Sequence, residues 1–346
     1  MKEIFFKVGN CRVYLNNNDR GYHRFLESAF AHQRIEAEPG NCDLCISLDW
    51  CKNPTIASVS GLSSLGGSTL AGEHSVITVM KIHRKHKIWF HAHIEGSRLR
   101  LDFRLKSKPA EDFFRYKLLR KPIEQFYYIL TYHLVYYPTF WYSEKYQQRF
   151  PLHASAVNYR DKGILICGLE GVGKTMLALM FLREGAELCT DNLALLGRQY
   201  AYPCQELLRI HKSEDLKHWL GHVEPVHDSG LMKGFYRPKK NVIKEKIRPD
   251  ILLFPEFGDK FAVQEISKEE ARHRALILSY LPEELADYAR YRLFLELLDK
   301  QQDSRAKMEG TIDEALKDCA CYHVQMVRSD GLESNFRRLK GKLWEK

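Results

Sequence analysis

Residues 168–175 read Gly-Leu-Glu-Gly-Val-Gly-Lys-Thr and match G-x-x-x-x-G-K-[ST] at every position. The chemistry of that pattern is anion capture. Gly168, Gly171 and Gly173, spaced by Leu169, Glu170 and Val172, let the backbone curl so that successive N–H groups point into one concavity. Lys174 brings a cation that can reach the terminal phosphates of a nucleotide, and Thr175 a hydroxyl that can join the shell of Mg²⁺. Two further residues suit the same chemistry. Asp191 offers a carboxylate for Mg²⁺ or for the proton of an incoming hydroxyl, while Asn192 beside it offers only a neutral oxygen. His153, in the run LHASAV, offers an imidazole for phosphate contact or proton transfer. Each has a plainer reading as well: Asp-Asn favours turns, and a histidine in an apolar run also fits a core. The basic segment Arg237 to Arg248 either supplies charge to a phosphoryl-transfer site or is a solvated surface loop.

These side chains converge only if the flanking elements are of the right type. Gly163 to Cys167 is an apolar run of strand length. Met176, Leu177, Met180 and Phe181 recur at helical spacing, and Gly185 stands where a helix C-cap would. The order is therefore strand, glycine loop, helix, which is the context the motif requires. Glu187 to Thr190 reads as a strand delivering Asp191. A hairpin of Leu152–Tyr159 against Gly163–Cys167, turning at Arg160-Asp161-Lys162, brings His153 to the loop. Further on, Leu193–Leu196 and Gln199–Tyr202 suggest a hairpin. Ile251–Phe254, Phe261–Ile266 and Cys321–Val327 read as strands, Lys268 to Gln302 as helix broken near Pro282, and the chain from Leu332 as a basic helix.

The first hundred residues have a different texture. Ile4–Val8, Cys11–Leu15, Cys42–Trp50, Ser75–Ile82, Lys87–His93 and Leu99–Phe103 alternate or run apolar between turn residues, as short strands do, and Tyr22 to Ala31 reads as a helix. Ser58 to Gly72 is small-residue-rich but has no GK[ST], so it reads as a hairpin connection. Cys42-x-x-Cys45 with Cys51 resembles half a zinc site without a second pair, and reads as structural. His91-Ala92-His93 puts two imidazoles on one face of a strand; they too read as structural. Glu111 to Tyr142 carries aromatics at helical spacing, expected to form a helix entered at Pro122, ended before Pro138 and used for packing between halves of the protein. The layout divides into a β-rich α+β domain over 1–108, a helical connector over 109–149 and an α/β domain with a mixed sheet over 150–346.

The 346 residues are 45% hydrophobic and 28% charged, which suits a soluble protein with a sizeable core. Lys and Arg number 53 against 44 Asp and Glu. The +9 excess is spread along the chain, which favours phosphate-bearing ligands or an acidic partner over nucleic acid. Nine cysteines in a chain this long are not a disulfide framework. The opening residues Met1 to Lys7 lack the apolar core of a secretory signal, and no apolar run reaches membrane-spanning length. The expectation is a cytoplasmic protein with no membrane partner; homo-oligomerisation is left open.

Around the loop the sequence resembles the catalytic domain of HPr kinase/phosphorylase, and more closely the shorter HPr-kinase-related proteins of bacteria. The resemblance rests on His153-Ala154-Ser155, Gly168 to Thr175, Arg183-Glu184-Gly185 and Asp191-Asn192. It is specific over 150–196, looser through Tyr202-Pro203-Cys204 and Leu207-Leu208-Arg209, and over 1–145 a matter of layout. It implies a P-loop kinase domain of the HPr kinase type that uses ATP and Mg²⁺ to phosphorylate a serine-like hydroxyl on a peptide, protein or small metabolite. It implies that Asp191 is the catalytic base and, with Thr175, a Mg²⁺ ligand. Asn192 replaces the second acid of the family's Asp-Asp pair, and Met176 the acidic residue that follows the loop hydroxyl. The glycine-rich signature that accompanies HPr recognition and phosphorylase activity is absent, which weakens HPr as the acceptor. The rival readings are an ATPase or nucleotide-controlled binding module without an acceptor, and a nucleic-acid binder using the basic surface.

Overall fold

The computed structural model describes residues 1–55, 61–82, 86–106, 116, 122–211, 221–227, 233–298 and 304–344. The chain divides into two compact units. The first comprises Met1–Tyr142, His227–Met232 and Asp287–Gln302; the second comprises Ser143–Val226, Lys233–Ala286 and Asp303–Lys346.

In the first unit, strands β1 (Lys2–Val8), β2 (Cys11–Asn17), β3 (Leu44–Cys51), β4 (Ser63–Gly66), β5 (Thr69–Ala71), β6 (Ser75–Ile82), β7 (His86–Glu95) and β8 (Arg98–Lys106) form one sheet of order β1-β2-β3-β8-β7-β6-β5-β4. Pairing is antiparallel except at β2–β3 and β3–β8. The period-two pattern explains the sheet's two faces: Ile46, Leu48, Phe90, Leu101 and Phe103 are buried, while their alternates Cys45, Ser47, His91 and Asp102 are half-buried. The helix Arg20–Ala29 begins at Asp19, whose side chain accepts from the Tyr22 N–H at 2.6 Å.

The aromatic stretch is helical from Ile123, and its rings are buried within this unit. Phe126 meets Trp50 and His86, Tyr136 meets Phe30, and Phe140 meets Tyr288. The expected stop before Pro138 does not occur. The helix widens to a π-type turn over Tyr132–Tyr136, where the Tyr137 N–H bonds to Tyr132 O, and continues through Tyr137–Tyr142. The wider turn makes room for the proline ring, and Pro138 has no N–H to lose. The part of the predicted helix before Pro122 lies outside the described residues, apart from Tyr116. The hairpin expected over Ser58 to Gly72 is present as β4 and β5, its residues 58–60 again outside the described set.

The second unit carries β9 (Phe150–Leu152), β10 (Ala154–Tyr159), β11 (Lys162–Cys167), β12 (Glu187–Thr190), β13 (Ala194–Leu196), β14 (Ala201–Pro203), β15 (Leu208–His211), β16 (Val223–His227), β17 (Lys233–Pro238), β18 (Pro249–Gly258), β19 (Ala262–Glu265) and β20 (Ala320–Val327). Its central sheet is mixed, of order β12-β10-β11-β18-β20-β19. The β10–β11 hairpin turns on Arg160 and Asp161, both at positive φ (50° and 59°), the tight turn whose twist suits a hairpin. β11 is apolar throughout because both faces are covered: Ile164 and Ile166 join the core under helix Lys174–Arg183, while Leu165 and Cys167 join the one under helices Lys268–Leu278 and Ser304–Leu316. β11 pairs in parallel with β18, so closely at Gly163 that a Cβ there would lie 1.9 Å from Arg248 O. The last of these helices, and the small sheet β15-β17-β16, were not foreseen. The helix expected to reach Gln302 ends at Glu296, followed by a turn at 297–298; residues 299–302 lie outside the described set.

Candidate functional site

Strand direction sets the site. β10 is antiparallel to both β11 and β12. The C-terminal ends of β11 and β12 therefore share one edge of the sheet with the start of β10. The glycine loop follows β11, Asp191 follows β12, and His153 precedes β10, so all three expected participants meet there.

The loop from Gly168 to Gly173 ends in helix Lys174–Arg183. Gly171 and Gly173 take φ of 82° and 90°, conformations that strain any side chain bearing a Cβ. Leu169, Glu170 and Gly171 are exposed, and Val172 and Gly173 half-buried, at the rim. The helix supplies partial positive charge at its start. It ends where the Gly185 N–H bonds to Leu182 O and the Ala186 N–H to Phe181 O, a glycine-terminated cap that fixes its length. Lys174 is buried and its Nζ donates to Leu169 O at 2.9 Å, folding the ammonium back over the loop. Burial lowers its pKa to about 8, against the opposing pull of Asp191.

Asp191 is the centre of the polar cluster, 6% exposed. Thr175 Oγ1 lies 2.8 Å from its Oδ2 and 3.1 Å from its Oδ1, and Ser155 Oγ donates to Oδ1. The next residue, Asn192, sits at φ 67°, so Asp191-Asn192 forms a turn. Its Oδ1 is 3.0 Å from His153 Nε2, and its Nδ2 donates to Glu206 Oε2 at 3.2 Å. That orientation of the amide makes Nε2 the protonated nitrogen of His153 and leaves the lone pair on Nδ1. Burial, and the Lys174 charge after it, lower the His153 pKa to about 4, so the ring is neutral at pH 7.

Three further residues contribute to the cluster or its rim. Ser155 lies two residues after His153, within β10, and becomes a site group only because β10 runs beside the strand that leads to Asp191. Glu206 is buried and reaches the site through Asn192, and nothing local in the sequence marks it. Lys233 Nζ stands 3.7 Å from Glu170 on the loop rim. The basic segment meets acids elsewhere: Arg237 pairs with Glu224, Lys244 with Glu187 at 2.8 Å and Arg248 with Asp318 at 3.1 Å. Cys42, Cys45 and Cys51 do not form a ligand cluster among the described residues; Cys42 and Cys45 Sγ point to the carbonyls of Glu38 and Pro39.

No family model matches this sequence, and no curated protein matches it. Among solved structures the chain is similar to the HPr(Ser) kinase/phosphatase from Coxiella burnetii, at 10% identity and a TM-score of 0.26, over 57% of this chain and 99% of that one. That is a weak structural likeness, and it says nothing about activity.

Proposed function

We propose that the loop Gly168 to Thr175 binds ATP with Mg²⁺, and that the chain transfers the γ-phosphoryl group to a serine-like hydroxyl on a peptide, protein or small metabolite. The observation that carries this reading is the pairing of Thr175 Oγ1 with the buried Asp191 carboxylate at 2.8 and 3.1 Å, at the start of the helix that leaves the glycine loop. A neutral hydroxyl and one carboxylate suit Mg²⁺ shared with substrate phosphates better than an all-protein cage. Bound there, the metal would neutralise charge on the phosphate oxygens.

The chain's own residues have separable tasks. The backbone N–H groups of residues 169–174 bind phosphate oxygens. Lys174 leaves Leu169 O for the β- and γ-phosphates, an exchange of a carbonyl for a more strongly attracting partner. Asp191 orients the acceptor hydroxyl and takes its proton as the new O–P bond forms and the bond to the β-phosphate oxygen breaks, releasing ADP. Ser155 and Thr175 hold that carboxylate in place. His153, neutral, fixes Asn192 and through it the turn that aims Asp191.

The test uses γ-labelled ATP, Mg²⁺ and a panel of hydroxyl-bearing peptides and metabolites, with transfer read by mass spectrometry. Asp191→Asn is expected to keep ATP binding and to slow transfer at least ~10²-fold. His153→Ala is expected to lose less. A near wild-type rate for Asp191→Asn with a dead His153→Ala would move the base to His153. ATP hydrolysis without any labelled acceptor would favour the ATPase-module reading instead.

A further inference from the structure

The outer face of the first unit's sheet gathers a second set of ligand-type groups. On β7, His91 and His93 lie two residues apart and share a face. The β7–β8 register sets His91 directly opposite Asp102. One ligand atom from each of His91, His93 and Asp102 lies within 4.8 Å of the others, and all three residues are half-buried.

What raises this above a chance grouping is how the two rings are held. His93 Nε2 is 2.9 Å from Glu95 Oε1. A carboxylate only accepts, so Nε2 carries the proton and Nδ1 the lone pair. That Nδ1 is buried and has no hydrogen-bond partner among the described residues. His91 Nε2 is 2.7 Å from Ser75 Oγ, so the second ring is also held through Nε2. The two rings stack with centroids 5.1 Å apart. A carboxylate on the far nitrogen of a histidine is the usual outer support of a metal-binding imidazole, because it fixes the tautomer and raises ligand basicity. Arg100, the cross-strand neighbour of His93, is drawn onto Glu95 at 3.3 Å, which turns its charge toward that carboxylate.

We propose that His91, His93 and Asp102 bind one divalent first-row transition-metal ion of the Zn²⁺ type, with Glu95 and Ser75 orienting the two imidazoles. Two nitrogens and one carboxylate oxygen select such an ion over Mg²⁺ or Ca²⁺, which prefer oxygen alone. Bonds of about 2.0–2.2 Å place tetrahedral ligand atoms roughly 3.4 Å apart. The present spacing is within 4.8 Å, so binding draws the three side chains together around the ion. Three protein ligands leave a fourth position for water or an exogenous group.

The experiment uses the tag-free full chain stripped with a chelator, titrated calorimetrically with Zn²⁺ and followed with Co²⁺ by visible absorption. One ion per chain is expected, with the intense d–d bands of four-coordinate Co²⁺ and no thiolate charge-transfer band. His93→Gln and Asp102→Asn should each weaken binding by about 100-fold or more, and Glu95→Gln by about 10- to 100-fold, the range for outer-shell partners. Cys45→Ser and Asp191→Asn should leave it unchanged. Absence of stoichiometric binding overturns the proposal. So does binding that survives both His93→Gln and Asp102→Asn, or binding lost in Cys45→Ser or Asp191→Asn. Thermal melts of the stripped variants identify any that fail to fold; Asp102→Asn keeps the side chain's size and decides the matter if His93→Gln is one of them.

Discussion

The two sheets put polar chemistry at different places. The second unit's central strands are covered on both faces, so its polar groups collect at the strand ends, where Asp191, His153 and the glycine loop meet. The first unit's sheet is buried on one face and half-buried on the other, and its notable polar cluster, His91, His93 and Asp102, lies in the middle of strands on the second. The edge cluster is assembled by loops of special backbone conformation. The mid-strand cluster is assembled by register. A site at strand ends tolerates substitution on the strands while the loop conformation lasts; a site on a face depends on every strand keeping its pairing.

The sharpest way to break the contrast is through the strands beneath the loop. Gly163→Ala puts a Cβ 1.9 Å from Arg248 O, so β11 and β18 must part or shift. We expect a loss of about 3 kcal/mol or more, the upper range for overpacking, read as a lower urea midpoint, with the first unit's metal titration unaffected if that unit stays folded. A stability within error of wild type would show that the strands have room to give.

Next in size is Lys174→Ala. It removes a cation expected at the phosphates, a charged hydrogen bond worth roughly 1.5–3 kcal/mol, or about 10- to 100-fold in ATP affinity by calorimetry. Unchanged affinity would remove the phosphate-cradle reading, while leaving the metal site of the other sheet untouched.

The smallest effect compares a buried histidine in each unit. Burial lowers both His153 and His133 to about 4. The unfolded chain takes up a proton near its ordinary value of 6.5 and the folded chain does not, so folding stability is complete above that pH and lost as pH falls towards about 4. The slope is at most about 1.4 kcal/mol per pH unit for each ring. His153→Gln should flatten it in the second unit and His133→Gln in the first, measured as urea midpoints between pH 7 and 4.5. A wild-type slope retained in both variants would show that neither ring stays neutral when folded.

The strand–loop–helix order around residues 163–185 was legible because every constraint on it is local. Glycines that need positive φ, an apolar run of strand length and a helical repeat all fall within one short window, and backbone conformation acts at that range. Asp191 and His153 were legible for a related reason: each lies one short element from the loop, and a two-residue hairpin turn leaves little freedom. The stop before Pro138 was misread because a proline's effect on a helix depends on the turn before it, and a π-type turn can absorb the ring. Ser155 and Glu206, and the approach of Asp102 to the two imidazoles, were decided by tertiary structure alone. Strand neighbours are chosen by which faces can be buried together, over separations a sequence window does not span: β3 pairs with β8 and β11 with β18. Sequence alone determined the backbone of the glycine loop and the types of group it carries; the pairing of distant strands decided which carboxylates, hydroxyls and imidazoles those groups would meet, because hydrogen-bond register, once burial selects it, sets every cross-strand neighbour at once.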